Sequence, residues 1–252
     1  MFLQELWRYP IKSLRGEPLQ EAVIGRLGIE GDRQRAVVDP GSDVSLSAKR
    51  HGELLLCRAW TVDDDVMVGL PDGSEFPADS PQAADGLSAL LDREVEVRRA
   101  EIGKAVQHEY TTDPTTGEGD PMVVEAPLRE AFFDGLPVHL LSDATLREFT
   151  RRQPGSKFGR ARFRPNLLIH TDEEGFVEDG WVGNSVSVGA VSFSAEDFKT
   201  RCVMTTRPQG ELLLDREVLK AVVRENQSRA GIELVPTNSA TIHVGDPVTV
   251  SA

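Results

Sequence analysis

Cysteine is scarce in this chain. Two of them, Cys57 and Cys202, in 252 residues exclude a disulfide framework, and they exclude a structural zinc or iron–sulfur centre unless many histidines or carboxylates join them. The five histidines, His51, His108, His139, His170 and His243, lack the close spacing of a zinc site, so none is assigned as a ligand. No apolar run approaches the roughly 20 residues of a membrane span. The start of the sequence has no basic leader followed by an apolar stretch, so the expectation is a soluble, cytoplasmic protein. Positive charge is also in short supply: the formal net charge is -13, which argues against a nucleic-acid surface because phosphate backbones would be repelled over most of the molecule. Any anion bound here needs a local basic pocket.

What is present is enough hydrophobic residue, 39%, to bury a full core in one large domain or two closely packed ones. Short apolar or alternating stretches recur between turn signals: Glu21 to Ile24, Arg35 to Val38, Val66 to Leu70, Val95 to Val97, Ser185 to Val188, Val191 to Phe193 and Val248 to Val250. Turns such as Asp72-Gly73 and Gly245-Asp246-Pro247 separate them. Helical patterns are fewer: Pro81 to Leu91, Asp143 to Arg152 with Ser142 as N-cap, and Asp215 to Arg229. The polar stretch Thr111 to Asp120 reads as a loop and a boundary between halves.

Cys202 lies in Thr200-Arg201-Cys202-Val203-Met204-Thr205-Thr206. A guanidinium next to a thiol favours the thiolate, the form that binds a soft metal or attacks an electrophile; taken alone, a cysteine in a strand is more often buried packing. Cys57, following Leu54-Leu55-Leu56, is assigned to packing, as are Trp7 and Trp60. Lys12 and Ser13, in Tyr9-Pro10-Ile11-Lys12-Ser13-Leu14, supply a point charge and a neutral donor side by side, suited to a phosphate. Gly28-Ile29-Glu30-Gly31-Asp32-Arg33 offers either a backbone turn that brings Arg33 onto an anion or an ordinary surface Arg–Asp pair.

In Gly159-Arg160-Ala161-Arg162-Phe163-Arg164-Pro165-Asn166, an extended chain would put Arg160, Arg162 and Arg164 on one side, three cations in need of an anion or of nearby acids. Asn166 adds an amide able to read the edge of a heterocycle. Leu141-Ser142-Asp143-Ala144 reads as a helix start whose free amides also attract anions.

In this order, and with Asp179-Gly180-Trp181 and the closing Val244-Gly245-Asp246-Pro247-Val248, these segments resemble the MOSC proteins, named for the C-terminal domain of molybdenum-cofactor sulfurase. The match is to the branch with an N-terminal MOSC β-barrel domain that includes the mitochondrial amidoxime-reducing component and its bacterial relatives. The resemblance runs from Leu6 to Val250. It implies a mainly β, α+β fold: an N-terminal β-barrel-like domain over residues 1–110 packed on a MOSC β-barrel domain over 111–252, with a molybdenum cofactor (molybdopterin) between them. It further implies Cys202 as the catalytic cysteine and molybdenum ligand, Lys12, Ser13 and Arg33 at the pterin's phosphate, Arg164 and Asn166 at the pterin, and Ser142, Thr200 and Arg201 lining the pocket.

The implied activity is reduction of N-hydroxylated or other N- or S-oxygenated small molecules, with electrons from a separate ferredoxin- or cytochrome-type donor and its reductase. Asp179 is set either at the substrate mouth or in a structural loop. The alternatives are sulfur transfer through a Cys202 persulfide, or a non-catalytic carrier of the cofactor. One departure stands out. Where the reductases usually continue Arg-Cys-x-x-Thr-Thr with Val-Asp-Pro, this chain has Arg207-Pro208-Gln209-Gly210.

Overall fold

The largest sheet is woven from both ends of the chain. In a computed structural model, which describes residues 1–101, 104, 106–126 and 130–251, eight strands lie in the order Val248–Ser251, Ser185–Val188, Val191–Thr200, Arg229–Pro236, Val138–Ser142, Leu167–His170, Phe2–Arg8 and Glu17–Leu19. Val138–Ser142 is buried along its whole length. It runs parallel to Leu167–His170 and antiparallel to Arg229–Pro236; the parallel neighbour is reached through the helix Asp143–Arg152, as a parallel pairing requires a crossover. Phe2–Arg8 zips antiparallel onto Leu167–His170 with Leu6 opposite Leu167. A small sheet repeats the theme, pairing Ala240–His243 with Glu21–Gly25.

This arrangement buries Leu3, Leu6 and Ile24 in one core with Ile169, Phe193, Ile232 and Ile242. A second core, around Ile11, Leu14, Leu46, Leu54, Leu55, Cys57 and Leu87, lies among residues 11–95. Near it run a five-stranded sheet (Glu96–Arg99, Arg35–Asp39, Val44–Ser45, Val106–Thr111, Pro121–Ala126) and a three-stranded one (Arg58–Val62, Asp65–Gly69, Glu75–Pro77). The fold is therefore mainly β with a few helices. Among the described residues no helix is long and apolar enough to cross a membrane.

The helices follow their capping signals. Ser80 accepts a hydrogen bond from the Ala83 amide and Pro81 opens Pro81–Leu91. Ser142 does the same for Asp143–Arg152 through the Thr145 amide at 3.1 Å. The third helix begins after the Asp215 cap but stops at Asn226, short of the expected Arg229. Gln227 and Ser228 adopt left-handed conformations (φ 53° and 67°), which end the helix and let Arg229 enter the sheet.

A basic cleft around Cys202

One cleft, of about 420 Å³, is lined by Lys12, Ser13, Arg33, Arg164, Asn166, Thr200, Arg201 and Cys202. Residues spread over most of the sequence thus share one cleft. Ser142 is not among them. Its side chain is buried, caps the helix Asp143–Arg152 and donates to Glu178, so the exposed-amide reading of that helix start gives way to a closed structural cap.

Lys12 enters from the N-terminal segment just after the strand Phe2–Arg8, its amide held by the Arg35 carbonyl at 2.8 Å. Ser13 follows in a left-handed turn (φ 69°), and its hydroxyl accepts from the Ala48 amide at 3.0 Å. The Lys12 ammonium is buried, pairs with Asp134, and sits 3.2 Å from His108 Nδ1. Burial pulls its pKa down to about 8 although Asp134 acts to raise it. Burial acts to raise Asp134 in turn, but Lys12 and Lys49 overcome it and hold that carboxyl well below the usual range. Lys49 lies 3.0 Å from Asp134 Oδ2 and 3.8 Å from the centre of the Tyr110 ring, and the Tyr110 hydroxyl donates to Asp134 at 3.0 Å.

The Gly-Asp-Arg turn forms the Arg–Asp pair, but with the carboxylate buried rather than on the surface. Asp32 is buried and accepts the Tyr9 amide at 2.7 Å, while Arg33, held left-handed at φ 51°, pairs with Asp32 and still faces the cleft. Its guanidinium and that of Arg164 rest on the Tyr9 ring, 4.8 and 4.2 Å from the centroid.

The three arginines of Arg160 to Arg164 do not lie on one side, because Arg160–Phe163 forms a short helical turn rather than an extended strand. Within this turn Phe163 packs in a core with Phe149 and Phe158, and about 100° per residue fans the arginines apart. Arg160 stacks over Trp7 at 3.4 Å and pairs with Glu5. Arg162 donates to the carbonyls of Lys157, Thr205 and Leu213 at 2.9 to 3.0 Å. Only Arg164 reaches the cleft, as a left-handed helix cap at φ 55°. Burial lowers its pKa to about 10, and its Nη1 is buried without a hydrogen-bond partner.

Asn166 lines the cleft with its amide already committed: Nδ2 donates to the Trp7 carbonyl at 3.1 Å, and Oδ1 accepts from the His139 amide at 3.2 Å and Arg33 Nη1 at 3.3 Å.

The strand Val191–Thr200 leads directly into Arg201 and Cys202, which line the cleft. Arg201 donates to the Phe163 carbonyl at 2.7 Å while its Nε is buried without a partner, and burial lowers its pKa. Cys202 is partly exposed and begins the helical turn Val203–Thr206, its carbonyl accepting from the Thr205 amide and hydroxyl. Cys57, by contrast, is sealed in the second core, where burial pushes its thiol up to about 12. Arg207, the departure noted above, donates to the Lys49 carbonyl at 3.0 Å, tying the segment that carries Lys49 to the turn after Cys202. Asp179 does not line the cleft; burial raises its carboxyl, with a hydrogen bond from Asn226 opposing.

Lys49, Tyr110, Asp134, His139, Lys199 and Glu233 also line the cleft and carried no local sequence signal. Lys199 pairs with Glu233, and His139 is held neutral by burial with Arg201 and Lys199 adding to the effect. Six cations against two carboxylates make the cleft positive in a chain of net charge -13, where low-dielectric walls focus the field on an anion. Among the described residues no three of His, Cys, Asp and Glu cluster to hold a metal ion. A metal at Cys202 would need donors brought by an organic ligand, and a partly exposed thiol, a basic floor and two unpartnered buried guanidinium N–H groups suit such a ligand.

A model of the MOSC N-terminal beta barrel domain matches residues 1–110, and a model of the MOSC domain matches residues 127–249. Mitochondrial amidoxime-reducing component 1 of Mus musculus is 24% identical over 278 residues, spanning 97% of this chain and 80% of that protein. The Homo sapiens protein of that name is 24% identical over 280 residues, spanning 97% and 81%, and mitochondrial amidoxime reducing component 2 of Macaca fascicularis is 22% identical over 234 residues, spanning 84% and 68%. The crystal structure of the YUAD protein from Bacillus subtilis shares the fold, with a TM-score of 0.51 at 11% identity over 98% of this chain and 93% of that one.

Proposed function

Since the chain belongs to the MOSC family, with a MOSC N-terminal β-barrel domain ahead of its MOSC domain, we propose that the basic cleft binds the molybdenum cofactor and that the protein reduces N-hydroxylated or other N- or S-oxygenated small molecules. The observation that carries this reading is the pairing, in one cleft, of the partly exposed Cys202 thiol with the buried, unpartnered N–H groups of Arg164 and Arg201. Buried donors without acceptors cost roughly 1–3 kcal/mol each, so this cleft is built to receive an acceptor-rich ligand.

In this reading Lys12, Ser13 and Arg33 hold the phosphate of the cofactor, Arg164 faces the pterin, and Thr200 and Arg201 close the wall beside the metal. Asn166 acts as a positioning residue, because its Oδ1 fixes Arg33. Cys202 is the ligand that the chain gives to molybdenum. The bound metal would supply the redox chemistry: an N–O bond breaks, two electrons and two protons are taken up, and the oxygen leaves as water. The electrons come from a separate redox protein, in keeping with relatives that are named as reducing components.

The test is expression in a host that makes the molybdenum cofactor, followed by elemental analysis and a screen of N-oxygenated compounds with an artificial electron donor. The expected result is stoichiometric molybdenum and reduction of an amidoxime, both lost in Cys202→Ala. A chain that stays metal-free under these conditions overturns the reading. Sulfur transfer uses the same partly exposed thiol, and a metal-free protein with cyanide-labile sulfur on Cys202 would favour it.

A further inference from the structure

Behind the turn that carries Cys202 lies a second cavity of about 480 Å³. Leu219 and Val223 of the helix Arg216–Asn226 contribute apolar surface, Val203 and Thr206 add the back of the Cys202 turn, and Thr115 and Thr116 come from the loop over 112–120. That loop is anchored where the Val203 amide donates to the Pro114 carbonyl at 2.9 Å. Along the same helix, Arg216, Lys220 and Arg224 recur every fourth residue and so share one face with the cavity. Lys220 is taken up by Glu217 at 2.6 Å and Arg224 by Glu225, whereas Arg216 makes no ion pair among the described residues. Glu118 is the one acid in the lining, against these three cations, on a chain of net charge -13.

An apolar cavity with a free guanidinium at one end matches a ligand with a hydrocarbon body and an anionic head. A carboxylate meets a guanidinium with two parallel hydrogen bonds, and the face from Arg216 to Arg224 spans ~12 Å along the helix axis, the scale of a medium-length acyl chain. We propose that this cavity is a binding site for a medium-chain alkyl carboxylate, with its chain against Leu219, Val203 and Val223 and its head on Arg216. The two linings share no residue, and the proposal does not rest on what the Cys202 cleft binds.

Titration calorimetry with octanoate, with 1-octanol as the uncharged counterpart, tests the assignment. Arg216 is exposed and Val223 is 46% exposed, so Arg216→Glu and Val223→Glu leave the cores intact, which an unchanged melting temperature checks. The expected result is saturable one-site binding of octanoate, weaker by roughly tenfold or more in each variant and for 1-octanol. Absence of saturable binding overturns the proposal. So does octanoate binding that both variants leave unchanged, which would place the ligand elsewhere, and so does equal affinity for 1-octanol.

Discussion

The Lys12 ammonium is paired with the Asp134 carboxylate across 122 residues of sequence, and the same carboxylate takes Lys49 and the Tyr110 hydroxyl. One acid therefore holds two cations of the cleft in place without cancelling its positive charge.

The state of Lys12 should set the pH range of anion binding. Burial lowers its folded-state pKa from 10.5 to about 8, so the folded chain releases this proton before the unfolded chain does. Between those values the lysine's contribution to stability rises with pH, because the cost of its buried charge disappears. Over the same range the cleft loses a positive charge. Affinity for sulfate, whose own charge is constant there, is expected to fall as pH rises through about 8, and calorimetry should find that step missing in Lys12→Met.

The two thiols should differ sharply in the native state. Cys57 is sealed in a core with its pKa pushed to about 12, while Cys202 is partly exposed in the cleft. Iodoacetamide at neutral pH is expected to label Cys202 alone, with Cys57 reacting only after unfolding. Peptide mass spectrometry reads this directly, and native labelling of Cys57 would contradict the packing.

Ser142→Ala separates a structural from a ligand-binding serine. The substitution removes a helix cap and a donor to Glu178, and the expected cost is ~1–2 kcal/mol in urea unfolding. The Cys202 cleft keeps its lining, so sulfate affinity should stay at the wild-type level. A loss of affinity without a loss of stability would return Ser142 to the binding site.

Glu178 should give stability an unusual slope with pH. Burial lifts its pKa from 4.5 to about 7, although hydrogen bonds from Ser142 and Thr145 resist. A folded-state value above the unfolded one means that its stabilisation is complete below 4.5 and is lost as pH rises through about 7. Wild type minus Glu178→Gln, measured by urea unfolding across that window, should decline with pH by at most about 1.4 kcal/mol per unit. A flat difference would mean that Glu178 titrates normally.

Local signals were legible where they depended on neighbours in sequence. Ser142 caps its helix as its side chain suggests, because a cap needs only a hydroxyl and the amide three residues on; Ser80 and Asp215 cap the other two longer helices in the same way. The arginine run from Arg160 misled for an equally local reason: a period of two fits a strand, but the burial of Phe163 imposes a helical turn and sends each guanidinium a different way. Arg162, spent on three carbonyls, looks no different in sequence from Arg164, which faces the cleft.

The sequence alone determined the chemical inventory: two thiols, each next to an arginine, cations in an otherwise acidic chain, helix caps, and an order of motifs that identifies the family. Tertiary structure decided which of these groups meet. The pairing of Phe2–Arg8 with Leu167–His170 brings the first residues of the chain to the sheet that leads to Cys202. The cleft also takes in Lys49, Tyr110 and Asp134, which no motif marks, and leaves out Ser142, which is spent on a helix cap and on Glu178. The reason is physical. Capping and periodicity act over a few residues, whereas a cleft charge depends on which distant side chains the closing sheets bury together.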